Sequence, residues 1–147
     1  MGADIHGHVE CRATFGFADD FDDEYTGWEA AVDLDFLYAG RSYTAFGCLF
    51  GVRNHVGFRP LAEGRGLPPD VAAETRRPYD EWAGAHGATW IGWPELADAD
   101  WDERAPEPSM TRREAVPDDW EPVWTVMRTL AGLHGGENVR LVVWFDN

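Results

Sequence analysis

Residues 139–147 read Val139-Arg140-Leu141-Val142-Val143-Trp144-Phe145-Asp146-Asn147. A nearly unbroken apolar run of this length is typical of a strand that is buried on both faces, and such a strand lies near the centre of its sheet. Gly135-Gly136 separates this run from the segment before it. The sequence therefore predicts a central closing strand that carries Asp146 to the rim of the sheet.

A helix is predicted directly before this strand, with a cap at Asp118 or Asp119 and an end at Gly135. Its apolar residues recur at helical spacing and share one face: Trp120, Val123, Trp124, Met127, Leu130 and Leu133. A second helix is predicted near residues 43–53, where Ser42 can act as the cap. These two helices are expected to cover the sheet.

A third helix is predicted to begin at Asp70, which follows two prolines and can act as its cap. Pro78 must interrupt this helix, because proline lacks the backbone N–H that the helix needs. From residue 98 to 117 the chain is acidic and has no sustained period, so we expect a surface excursion there.

A second strand is predicted over residues 4–10, and its two faces differ in chemistry. Ile5, Gly7 and Val9 form an apolar face. The opposite face holds four residues that can each bind a metal or exchange a proton: Asp4, His6, His8 and Glu10. Neighbours on one strand face lie roughly 6.5–7 Å apart, so two side chains can converge on one ion. The alternative is an ordinary solvated face of an edge strand.

The predicted fold is α+β. Residues 1–147 are expected to form a single domain with a mixed sheet that contains both terminal strands and packs against two or three helices. A hydrophobic fraction of 44% is that of a globular protein. Two cysteines cannot form a disulfide framework, so Cys11 and Cys48 are interpreted as reduced core residues.

The charge of the chain limits its partners. Its 12 basic residues, all of them arginine, face 27 acidic residues, and the formal net charge is −15. Such a surface repels phosphate backbones, so nucleic acid is not expected as a partner, whereas a small molecule or a basic protein is compatible with it. No apolar run approaches the ~18–20 residues that span a bilayer, and no basic, apolar leader is present, so we expect a cytoplasmic protein.

Several segments resemble small uncharacterised proteins that are common in phages and actinobacteria. The resemblance spans nearly the whole chain and is most specific at its two ends. It is carried by Met1-Gly2-Ala3-Asp4-Ile5-His6, Arg41-Ser42-Tyr43 with Phe46, Val52-Arg53-Asn54, Gly66-Leu67-Pro68-Pro69-Asp70-Val71, His86 with Trp90, and residues 140–147. The family has a His-Ser-x-Ser-Trp segment, in which Gly87 and Thr89 here replace the serines. No activity comes with this resemblance.

The residues themselves indicate a small metal-dependent enzyme. Asp4, His6 and His8 are the expected ligands of a divalent zinc, manganese or iron ion, because imidazole and carboxylate groups suit these metals. His86, just before a short predicted strand, and Asp146 are expected at the same site. The expected reaction is hydrolysis of a small or phosphate-containing substrate.

Two other functions are compatible with the same sequence. In a metal-free enzyme, His86 or His6 acts as general base, Asp4 or Asp146 orients it, and Arg53 holds an anionic substrate. In a non-catalytic, phage-type binding protein, the chain is an inhibitor, a charge mimic or a binder of a nucleotide or small ligand. Eight tryptophans suit a stacking pocket for a base or sugar, and a charge mimic would depend on the acidic run at residues 19–24.

A shared site requires a specific strand arrangement. Asp4 and Asp146 lie at opposite ends of the sequence, so they can meet only if their strands are close in the sheet. We expect these strands to pair directly or to lie one strand apart, with Asp4, His6 and His86 opening onto one cleft.

Overall fold

The computed structural model describes residues 2–15, 26–106 and 109–147. Its strands are β1 (Asp4–Cys11), β2 (Glu29–Asp33), β3 (His86–Gly92) and β4 (Val139–Asp146), and they form one sheet in the order β2-β1-β4-β3. The predicted α+β fold with both terminal strands in the sheet is confirmed, and β4 is central. Every described strand pair is antiparallel, so the sheet is not mixed.

The described residues form five α-helices around the sheet: α1 (Tyr43–Phe50), α2 (Ala73–Glu81), α3 (Trp93–Asp98), α4 (Arg112–Ala115) and α5 (Glu121–His134). Short 3-10 turns occur at Leu34–Phe36, Asp118–Trp120 and Gly136–Asn138. Within the described ranges, no helix combines the length and the apolar character that crossing a bilayer requires. The acidic run at 19–24 lies outside the described residues.

One face of β1 and β4 packs against α1 and α5, as predicted. The ring of Phe145 on β4 lies 5.2 Å from that of Phe46 and 6.0 Å from that of Phe50, both on α1. Val123 and Met127 of α5 join the same buried cluster. Burial of each such side chain stabilises the fold by roughly 1.5–3 kcal/mol.

Side-chain hydrogen bonds and a close backbone contact fix the beginning of α1 and the loop that follows it. Ser42 accepts a hydrogen bond from the backbone N–H of Ala45, which confirms the predicted cap. A Cβ atom on Gly47 would lie 2.7 Å from the Cα of Asn54, so glycine allows this loop to lie against the helix. The Asn54 side chain closes the loop through hydrogen bonds to Gly57 and Phe58.

The prediction for Leu133 is wrong, because this side chain is 54% exposed. The helix advances about 100° per residue, which places Leu133 far around α5 from Val123 and Met127. Trp120, Val123 and Met127 are fully buried, so the apolar face ends before the last turn.

The other face of the sheet carries a buried ionic network at the end of β1. Glu10 is fully buried, and its carboxylate accepts hydrogen bonds from the backbone N–H of Ala72 at 3.0 Å and from Nε of Arg140 at 2.8 Å. Arg140 also donates to Asp70 at 2.9 Å, and its guanidinium lies 3.8 Å above the ring of Trp28. Glu10 therefore has a structural partner and does not extend the candidate site.

Two details of the predicted third helix are wrong. Asp70 does not cap it: α2 begins at Ala73, and the carboxylate of Asp70 binds Arg140 and Trp28 instead. Burial raises the pKa of Asp70, but the hydrogen bond and charge of Arg140 outweigh this effect, so the net shift is downward. Pro78 lies inside α2 without ending it. Pro78 has no N–H to donate to the backbone carbonyl of Glu74, so α2 continues with one fewer helical hydrogen bond.

The expected surface excursion at 98–117 is partly buried. Arg112 is 1% exposed, donates to Glu103 at 3.1 Å and lies 3.6 Å from the sulfur of Cys48. Both cysteines are buried and unpaired, as predicted. Burial raises the pKa of each thiol, which keeps the sulfur protonated and unreactive.

Candidate functional site

Of the sequence-predicted site residues, Asp4, His6 and Asp146 lie together at the rim formed by the beginning of β1 and the end of β4. These strands pair directly, so Asp4 lies opposite Asp146 and His6 lies opposite Trp144. Along the opposite edge of β4, His86 of β3 pairs with Phe145. The rim site, as we call this group, comprises Asp4, His6, Arg41, Tyr43, Arg53, Trp82, His86, Asp146 and Asn147.

The centre of the rim site is a contact between His6 and Asp146. The Nε2 atom of His6 lies 3.3 Å from Oδ1 of Asp146, although the two groups are not aligned as a hydrogen bond. Trp82 donates from Nε1 to the other oxygen of Asp146 at 2.8 Å, and its ring lies 3.9 Å from that of His6. Trp82, at the end of α2, therefore holds the carboxylate and covers the imidazole.

Asp146 is held in its ionised form. The hydrogen bond from Trp82 lowers the pKa of Asp146, burial raises it, and the imidazoles of His6 and His86 lower it further, so the net shift is downward. At neutral pH the Asp146 carboxylate is therefore an anion, and it lies beside the His6 ring.

His86 and Arg53 meet at the side chain of Asn147. The Nε2 atom of His86 lies 3.2 Å from Oδ1 of Asn147, and Arg53 donates to the same oxygen at 3.4 Å. The guanidinium of Arg53 lies 5.6 Å above the ring of Tyr43. Among the described non-glycine residues, Arg53 alone has a positive φ, of 54°. Such strained backbone conformations cluster at functional sites.

Asp4 forms an ion pair with Arg41, which the sequence did not predict as a site residue. Arg41 donates to Oδ1 of Asp4 from Nε at 3.0 Å and from Nη2 at 2.7 Å, and both side chains are about half exposed. The hydrogen bond and charge of Asp4 raise the pKa of Arg41. This pair gives the Asp4 carboxylate a cationic partner at the rim.

His8 lies away from the rim. Its Nε2 atom is 3.6 Å from Oδ2 of Asp33 on β2. His6, His8, Asp33, Trp82 and Trp144 help to line a small cavity of about 70 Å³ between the sheet and α2. This volume has room for about two water molecules.

Unpartnered polar atoms concentrate at this cavity and the adjoining rim. Seven buried side-chain N or O atoms of the described residues have no hydrogen-bond partner, and five of them belong to His6, His8, Trp144 and Asp146. Buried polar atoms are normally satisfied, so this concentration marks a place where water or a ligand group can bind.

The proposed metal ligands do not converge. Asp4 binds Arg41, His6 contacts Asp146 and His8 contacts Asp33, so each polar group is directed at a different partner. The described part of the chain contains no group of three His, Cys, Asp or Glu side chains that could hold a metal ion. In these positions the side chains of Asp4, His6 and His8 do not fit a metal site.

Six residues around this region were not identified as site residues from the sequence. Arg41, Tyr43, Trp144 and Asn147 lie within the segments for which the sequence predicts a resemblance to phage and actinobacterial proteins. For Asp33 and Trp82 the sequence contained no such signal, because β2 and α2 bring these side chains to β1 only in the folded chain.

Comparisons with protein-family models, with curated proteins and with solved structures find no match to this chain.

Proposed function

We propose that this protein is a small cytoplasmic hydrolase whose active site is the rim site. Its substrate is a small molecule that carries a phosphate or another anionic group. The observation that carries this proposal is the contact between His6 and Asp146, with Trp82 holding the second carboxylate oxygen. An imidazole oriented by an ionised carboxylate is the usual arrangement of a general base.

In this mechanism His6 removes a proton from a water molecule as the water oxygen attacks the phosphorus of a phosphate ester. The bond from phosphorus to the leaving oxygen breaks, the leaving group departs as an anion, and the imidazolium then releases its proton to solvent. The Nε2 atom faces Asp146, while Nδ1 has no partner among the described residues and belongs to a ring that lines the 70 Å³ cavity. The cavity can hold the attacking water. Asp146 then stabilises the imidazolium, and a general base of this kind contributes a factor of about 10²–10⁴ to the rate.

Arg53 and His86 are positioned to bind the anionic part of the substrate. Both reach the same oxygen of Asn147, at 3.4 Å and 3.2 Å, so the guanidinium of Arg53 and the imidazole of His86 lie together at one edge of the site. A guanidinium binds phosphate or carboxylate oxygens through paired hydrogen bonds. The strained backbone of Arg53 is consistent with a position selected for binding rather than for stability.

The segments that carry the resemblance support the choice of this region. Asp4 with His6, Arg41 with Tyr43, Arg53, His86, and Asp146 with Asn147 come from five separate stretches of sequence, and all of them contribute to the rim site. We therefore propose that the phage and actinobacterial proteins that the chain resembles share this site.

Hydrolysis of p-nitrophenyl phosphate and bis-p-nitrophenyl phosphate tests the proposal. We expect nitrophenolate release above the buffer rate, and a loss of about 100-fold or more in kcat in both His6→Gln and Asp146→Asn, because each removes the general-base pair. Arg53→Met should instead raise KM, because it removes an anion-binding cation.

The control for this experiment is His55→Gln, an exposed histidine outside the rim site. It should retain the rate of the unchanged protein. Equal rates in His6→Gln and in the unchanged protein would refute the mechanism, and no turnover of either phosphate ester would favour the binding-protein alternative.

The metal-dependent form of the mechanism stays a prediction of the sequence, and elemental analysis tests it. Since Asp4, His6 and His8 contact different partners, we expect untagged protein to carry far less than one zinc, manganese or iron ion per chain. Added metal should leave the melting temperature unchanged, whereas a bound metal at 100 times its Kd would stabilise the fold by about 2.7 kcal/mol. One metal per chain, lost in His6→Gln, would restore the metal-dependent mechanism.

A further inference from the structure

A larger cleft lies between α3, α4 and α5, away from the rim site. Its volume is about 480 Å³, within the range of cavities that bind small molecules. Its lining includes three indole rings and three charged side chains: Trp93, Trp101, Trp124, Asp118, Glu121 and Arg128. None of them takes part in the proposed hydrolysis.

The indole rings of this cleft are held in place. Trp101 donates from Nε1 to the backbone carbonyl of Leu96 at 3.0 Å. Trp124 stacks on the fully buried ring of Trp120, with the centroids 5.4 Å apart and an angle of 23° between the planes. A ligand that packs on these rings therefore loses little binding energy to ordering them.

The polar groups of the cleft are available to a ligand. Among the described residues, no oppositely charged side chain lies within ion-pair distance of Asp118, Glu121 or Arg128. Arg128 contacts the ring of Trp93, with 5.8 Å between the guanidinium carbon and the ring centroid. Arg113 also lines the cleft and is paired with Asp102 at 3.3 Å. The cleft thus offers hydrogen-bond donors and acceptors beside apolar ring faces.

We propose that this cleft binds a neutral saccharide. A pyranose ring has a C–H face that packs on an indole, and its hydroxyls both donate to carboxylates and accept from a guanidinium. The carboxylates of Asp118 and Glu121 in the cleft oppose a phosphorylated ligand. The rings of Trp101 and Trp124 are tilted by 58°, so they form two adjoining walls rather than a parallel slot for a flat base.

Calorimetry and tryptophan fluorescence test this proposal. The probes are glucose, galactose, mannose, N-acetylglucosamine and their β1,4-linked disaccharides at millimolar concentration, with adenosine as the planar competitor. We expect at least one saccharide to bind and adenosine not to bind. Trp124→Ala and Glu121→Gln should each weaken binding by about tenfold or more, since each removes one contact to the ring or its hydroxyls.

The controls separate binding from folding and from hydrolysis. Glu121 is exposed, so Glu121→Gln should keep the far-UV spectrum and melting temperature of the unchanged protein, and Glu137→Gln supplies an exposed carboxylate outside the cleft. Both variants should hydrolyse the nitrophenyl phosphates at the unchanged rate. Absence of saccharide binding, binding of adenosine, or undiminished affinity in Glu121→Gln and Trp124→Ala would each overturn the proposal.

Discussion

Gly7→Ala is expected to destabilise the domain by about 4 kcal/mol, a large part of the ~5–15 kcal/mol that holds a typical domain folded. Gly7 lies in the middle of β1, opposite Val143 of β4, and has a φ of 147°. A Cβ atom there would lie 1.9 Å from the backbone oxygen of Val142. The neighbour is backbone in the central strand, so it cannot move without breaking the ladder between the two strands.

Denaturation by guanidinium chloride measures this effect. Gly132→Ala is the matched control, because Gly132 lies in the exposed part of α5 and an added Cβ there meets nothing within 4 Å. This control should stabilise the domain by roughly 0.5–1 kcal/mol, since alanine favours a helix interior. A Gly7→Ala protein with an unchanged midpoint would show that β1 and β4 do not approach each other this closely.

Glu10→Gln is expected to cost about 3–5 kcal/mol, the range measured when one partner of a buried ion pair is removed. The carboxylate is fully buried and accepts from both Arg140 and the backbone of Ala72. Without its charge, the buried guanidinium keeps only Asp70 as an anionic partner among the described residues.

Two further variants identify the cause of that loss. The double variant Glu10→Leu with Arg140→Met should recover much of the stability, because replacing a whole buried pair with apolar residues is often neutral. Asp102→Asn breaks an exposed pair with Arg113 and should leave the midpoint nearly unchanged. If Glu10→Gln behaves like Asp102→Asn, the network does not contribute to stability.

The strands were predictable because their patterns are local. The apolar run of β4 required burial on both faces, and the alternation of β1 separated an apolar face from a polar one. A buried strand needs hydrogen-bond partners for the backbone groups on both of its edges, and direct pairing of β1 with β4 followed from this need. The same reasoning placed Asp4 opposite Asp146 at one rim, whereas His86 pairs with Phe145 and lies on the other face of the sheet.

The polar face of β1 was harder to interpret, because what covers it comes from elsewhere in the chain. His6 and Glu10 lie on the same face, yet His6 reaches the rim whereas Glu10 is sealed by the loop around Asp70 and Ala72. The sequence around Asp70 has the pattern of a helix cap, and its ion pair with Arg140 depends on a residue 70 positions away. A tertiary ion pair of this kind leaves no periodic signal.

The direct pairing of β1 with β4 also determines the order in which the protein can fold. The central ladder joins Asp4 to Asp146, so nucleation at that ladder must close a loop of nearly the whole chain. The length-dependent entropic cost of such a loop is about 4 kcal/mol. During synthesis on the ribosome, β1 remains without its main partner until residue 146 has emerged. We therefore expect slow, late folding, with one edge of β1 unpaired until β4 arrives.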